Sequence, residues 1–155
     1  SLVAEIANAC LSLLSEISNS NDTLPSWACY CFLILYEIRI NLRNCDSLVE
    51  SSEESKADII PSKSLSVIDD GIYNEAMRIL SLISSPNRIK SDGSTIHAIL
   101  LAVSAIITQT ECAHQFVFNE GLDMVLKLPL CTLPEAQSLL SLILQHCLVS
   151  LQFPV

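Results

Sequence analysis

The chain has 155 residues, a formal net charge of −9, an apolar share of 50% and a charged share of only 16%. It is long enough for one domain with a sizeable core, while its eight dispersed lysines and arginines exclude a nucleic-acid binder built on clustered positive charge. So little charge leaves two options, helices that cross a membrane or helices buried on more than one flank in a larger assembly.

Run length decides against the membrane. A spanning helix needs about 20 apolar residues. Trp27 to Leu42 carries Glu37, Arg39 and Asn41 in its second half, and Leu133 to Val149 is interrupted by Glu135, Gln137, Gln145 and His146.

Val3, Ile6, Ala7, Cys10, Leu13, Leu14 and Ile17 recur at helical spacing and predict a first helix from Leu2 to Ile17. Ser18 to Asp22 breaks it with residues that compete for backbone hydrogen bonds. A second helix is predicted from Pro25, whose missing N–H costs nothing in a first turn, to about Asn44. Its first half is apolar on nearly every side, as in a helix packed on both flanks. Trp27 and Tyr30 share a face there and are read as interhelix packing.

Residues 46–64 differ in kind. They are serine-rich and acidic and cannot bury enough surface to order themselves, so they read as a flexible loop joining a helical pair at 1–45 to helical repeats at 65–155. Ser51 and Ser52, followed by Glu53 and Glu54, would suit an acid-directed kinase. Asp69-Asp70-Gly71 then leads into a helix from about Ile72 to Ser84, with Ile72, Ala76, Ile79, Leu80 and Ile83 as its apolar stripe and Pro86-Asn87 as its stop.

Asp92 or Ser94 caps the next predicted helix, Thr95 to about Thr110, which contains Ile99, Leu100, Val103, Ile106 and Ile107. Phe116 and Val117 close a short helix, and Gly121 is placed at the reversal because glycine takes positive φ without steric cost. Leu122, Val125, Leu126 and Leu128 continue at helical spacing to Pro129. A last helix, Leu133 to Leu151, starts through Pro134, with Glu135 at its positive end. No long period-two alternation demands a strand, so the fold class is all-α. Short joints and pervasive apolarity favour an α-solenoid over a four-helix bundle. The opening Ser1 and the apolar end at Leu151 to Val155 read as an excised segment of a longer protein.

Catalytic, cofactor-binding and metal-ligating sets are all expected to be absent. The seven cysteines, Cys10, Cys29, Cys31, Cys45, Cys112, Cys131 and Cys147, lie mostly in apolar runs and form no CxxC, which fits buried reduced thiols in the cytosol or nucleus. A helix turns Cys29 and Cys31 about 200° apart. His97, His114 and His146 make no HExxH, and adjacent His146 and Cys147 diverge by about 100°. Three glycines, Gly71, Gly93 and Gly121, cannot build a phosphate loop. Asp69-Asp70 reads as loop or cap chemistry. The acidic surface favours basic protein partners.

Three motifs in order resemble the N-terminal armadillo region of the giant HECT-type E3 ubiquitin ligases of the Mule and plant UPL kind. They are STIHAILLAVSAIIT from Ser94, AHQFVFNEGLDMVLKLP from Ala113 and AQSLLSLILQHCLVS from Ala136. LPSWACYCFLILYEI, from Leu24, is similar to an earlier helix of that family. About two-thirds of the chain is covered. Asn119-Glu120-Gly121 departs from the family's paired glycine, Leu133-Pro134 shortens its aromatic-Pro-Gly joint, and Gln145 replaces an arginine. The resemblance implies an armadillo-like scaffold that presents protein substrates to a distant HECT domain, whose catalytic cysteine is none of these seven. A non-enzymatic interaction solenoid is the alternative, and an autonomous helical enzyme domain a third.

Overall fold

The computed structural model describes residues 2–18, 22–49, 62–84, 89–128 and 134–152. These form seven helices: α1 (Leu2–Ser15), α2 (Trp27–Val49), α3 (Ser62–Ser84), α4 (Gly93–Ile106), α5 (Thr110–Phe118), α6 (Gly121–Leu126) and α7 (Pro134–Gln152). The protein is all-α. Among the described residues there is no strand, only an isolated bridge between Thr23 and Lys90.

Helix α4 is the centre. Ten of its residues are buried, including Ile96, Ile99, Leu100, Val103 and Ile106, and a helix apolar on all sides has to be enclosed on all sides. It packs on α2, α3 and α7. Its buried Ser104 is satisfied by donating to the Leu101 carbonyl at 2.7 Å. Asp92 caps its amino end, accepting the Thr95 N–H at 2.9 Å. The remaining contacts follow chain order: α1 packs on α2 and α3, α3 also on α6, and α5 on α6 and α7.

The predicted stripes are the core. Ile72, Ala76, Ile79, Leu80 and Ile83 of α3 are all buried, as are Ala7, Cys10, Leu14 and Ile17 of the first segment. Each fully enclosed Leu or Ile stabilises by ~1.5–3 kcal/mol relative to exposure. The apolar face of α1 is broader than the part of it that is buried. Leu2, Ile6 and Leu13, exposed by 70%, 40% and 46%, lie alongside Cys10 and Leu14 and widen the same apolar side.

Several boundaries differ from expectation. Helix α3 starts at Ser62 and runs through Asp69-Asp70-Gly71, so those residues are neither loop nor cap. Tertiary contacts override the local turn signal. Asp69 is buried against Arg39 of α2, Oδ1 to Nε 2.7 Å, and a Cβ on Gly71 would stand 2.6 Å from Leu11 Cδ1 of α1. Helix α2 likewise continues to Val49. Both ends of the expected 46–64 loop are therefore helical, and its middle, with Ser51, Ser52, Glu53 and Glu54, lies outside the described residues, as do Pro86, Asn87, Pro129, Cys131 and Leu133. Tyr30 is 66% exposed and Trp27 37%, so neither is enclosed between helices.

The corner also works differently. Positive φ belongs to Glu120, at 63°, whereas Gly121 opens α6. Glycine is needed at 121 for space. A Cβ there would lie 2.5 Å from the Phe116 ring and 2.7 Å from its carbonyl oxygen, and Phe116 is fully buried.

Long-range polar bonds join the helices. Arg78 on α3 donates to the carbonyls of Ile17 and, at 2.6 Å, Leu14, while Glu75 holds its guanidinium. The connectors before α2 and α4 pair as well: Leu24 N–H donates to Lys90 O at 2.8 Å and Lys90 N–H to Asp22 O at 3.1 Å.

Candidate functional site

Where α3 and α5 diverge they leave an open cleft of about 710 Å³. Tyr73 and Asn74 form one wall; His114, Gln115, Val117, Phe118 and Asn119 form the other. Helical phase explains the lining. Tyr73 sits at the edge of the α3 stripe, three residues before buried Ala76 and seven before Leu80, so its ring is enclosed while its hydroxyl reaches outward. Asn119 ends α5, its backbone N–H bonding Gln115 O at 2.9 Å, which frees the side chain to face α3.

The two walls meet at one bond, Asn119 Nδ2 donating to the Tyr73 hydroxyl at 2.8 Å. Burial raises the Tyr73 pKa and the Asn119 bond partly offsets that rise. Phe118, 88% exposed, forms the outer lip. The polar lining is carboxamide, phenol and imidazole, with no lysine or arginine.

Cys112, near enough to Tyr73 to act on its hydroxyl, is buried on α5. Burial, and then the carboxylates of Asp69, Asp70 and Glu111, push its thiol up to about 11. It is protonated at neutral pH and a poor nucleophile. Burial likewise raises Cys10 and Cys147, and takes Cys31 to about 11 with help from Cys10. Cys10, Cys29, Cys31, Cys112 and Cys147 are all free. Cys29 donates its Sγ–H towards Ser94 O at 3.6 Å on α4, whereas Cys31 turns to Cys10 on α1, so the two diverge as helical geometry requires.

The histidines are scattered. His97 Nε2 on α4 lies 3.4 Å from Glu135 Oε2 on α7, His114 lines the cleft, and His146 is half-buried beside enclosed Cys147. Among the described residues no three His, Cys, Asp or Glu side chains gather as a metal group. No helix of the described residues is long and apolar enough to cross a membrane.

Sequence reasoning missed the cleft as a unit. His114 and Asn119 sit inside the AHQFVFNEG motif, but Tyr73 is over forty residues upstream, and only the crossing of α3 with α5 unites them. A tyrosine at the margin of an apolar stripe was the available signal. Compared with family models, with curated proteins and with solved structures, the chain matches none.

Proposed function

We propose that this chain is an armadillo-like α-solenoid segment of a HECT-type E3 ubiquitin-protein ligase, a scaffold that positions protein substrates for a distant HECT domain. The observation that carries the scaffold half is the broad, only partly covered apolar face of α1. Ala7, Cys10 and Leu14 face inward, while Leu2, Ile6 and Leu13 beside them stay exposed, a pattern suited to an apolar face that continues onto a further helix. The order of contacts supports it too. Helix α1 packs on α2 and α3, and α7 on α4 and α5, so packing advances along the chain.

The ubiquitin half is supported by the resemblance of the Leu24, Ser94, Ala113 and Ala136 motifs, which is an argument by likeness. Protonated, buried thiols are consistent with a segment that leaves thioester chemistry to another domain. Free cysteines favour the reducing cytosol or nucleus. Neighbouring helical repeats of the same chain and protein substrates are the partners in this reading.

The test is the transcript beyond the Val155 codon together with discharge of ubiquitin from a loaded E2 by the full-length product. A downstream HECT domain and cysteine-dependent discharge support the ligase. A reading frame that closes without one removes the ligase and leaves a non-enzymatic interaction solenoid.

A further inference from the structure

We propose that the cleft between α3 and α5 holds a short extended peptide carrying lysine or arginine, its backbone on Asn74, Gln115 and Asn119, its apolar side chain against Phe118, and its cation beside Asp70 and Glu111. This rests on the protein-binding half of the reading above and is independent of ubiquitin transfer.

The chemistry of the lining selects the ligand class. A carboxamide offers one acceptor and two donors, as a peptide backbone needs, and carries no charge to favour a phosphate or carboxylate. Asn74, Gln115 and Asn119 place three of them on the two walls. Asn119 uses Nδ2 on Tyr73, an arrangement that presents its Oδ1 as an acceptor and holds the side chain still. Phe118 is a large aromatic surface kept in solvent at the lip, and exposed aromatics of this kind anchor apolar side chains.

Charge selects the side chain. Asp70 is three residues before Tyr73 on α3, and Glu111 three before His114 on α5; both are exposed and one turn from the lining on the same helical faces. Both carboxylates, with buried Asp69 and Arg39, also lie near enough to Cys112 to act on its thiol. Glu120, also exposed, follows Asn119. Among the described side chains of α3, Arg78 is turned to the carbonyls of α1, and at the end of α6 Lys127 is paired with Asp123 at 2.9 Å. A lysine or arginine has an aliphatic stem to lie along Val117 and Phe118 and a charged head to reach the carboxylates.

A phage library of random 12-residue peptides, selected on the whole 155-residue chain, supplies the probes; enriched sequences are resynthesised with a dye for anisotropy titration. The expected motif is a basic residue adjacent to an apolar one, with binding that weakens as salt rises. Asp70→Asn with Glu111→Gln should weaken it at least tenfold, Phe118→Ser similarly, both with unchanged melting. Enrichment of peptides lacking basic residues, or failure to enrich any, overturns the proposal. So does binding indifferent to these variants, although that result leaves the scaffold standing with its grip elsewhere. Sedimentation giving a dimer that Phe118→Ser dissolves would assign the cleft to a second copy and overturn it as well.

Discussion

Arg39 Nε on α2 and Asp69 Oδ1 on α3 stand 2.7 Å apart with both side chains almost wholly enclosed. The contact is between charges and is not an aligned hydrogen bond, and Arg39 Nη1 finds no hydrogen-bond partner. Burial of this kind makes each partner hostage to the other, since removing one leaves an uncompensated charge. Asp69→Ala should therefore cost ~3–5 kcal/mol in urea unfolding, while Arg39→Met with Asp69→Leu should recover most of that loss. Additive losses in the double mutant would show that the two charges are not coupled.

Gly121 is required by Phe116. With the ring and its carbonyl oxygen 2.5 and 2.7 Å from any added Cβ, Gly121→Ala should already lower stability by more than about 1 kcal/mol, and Gly121→Val by more again. The carbonyl cannot swing away as a side chain can. Melting unchanged by either substitution would refute the close approach.

Glu120 should respond in the opposite sense. It alone among the described non-glycine residues has positive φ, a conformation in which a Cβ is strained. Glu120→Gly is expected to raise stability by ~0.5–1 kcal/mol, less what the freer unfolded chain takes back. A drop in the urea midpoint would mean the left-handed geometry is not populated in solution.

Arg78 closes the carboxyl end of the first segment by donating to Leu14 O and Ile17 O from another helix. Its guanidinium is partly exposed, so water can replace some of what is lost. Arg78→Ala is expected to cost ~1–2 kcal/mol and to speed amide exchange in the last turn of α1. Arg78→Lys should rescue little, because one ammonium cannot span both carbonyls and Glu75.

Asp92 links stability to acid. Hydrogen bonds from the Thr95 hydroxyl and then the Thr95 backbone hold its carboxyl below the ordinary value of 3.8. A folded pKa below the unfolded one gives stability that is complete above pH ~4 and is lost as pH falls towards the folded value. Asp92→Ala should cost ~0.5–2 kcal/mol at pH 7, and the gap to wild type should narrow below pH 4. A gap of constant size down to pH 2.5 would mean the carboxylate is not the cap.

Much of this architecture is legible in the residues, and the exceptions share a cause. The stripes of α3 and α4 are written in their own spacing, because burial on one or all sides leaves a periodic trace. Asp69-Asp70-Gly71 reads locally as a turn, yet Arg39, thirty residues earlier, and Leu11, earlier still, make it helix interior. Trp27 and Tyr30 read as interhelix packing because they are aromatic, but Tyr30 stays 66% and Trp27 37% exposed, at the margin of the buried α2 face. The cleft was invisible for the same reason: Tyr73 and Asn119 acquire meaning from each other, at a distance no window spans.

The paired connectors around Thr23 and Lys90 carry a mechanical consequence. Two backbone bonds running in opposite senses, Leu24 to Lys90 and Lys90 to Asp22, fasten the connector before α2 to the connector before α4. Sliding either connector by a single residue would sever both bonds together, so intermediate offsets have no resting place. The offset between α2 and α4 is thus held at a single setting by backbone alone, whatever side chains occupy the two connectors.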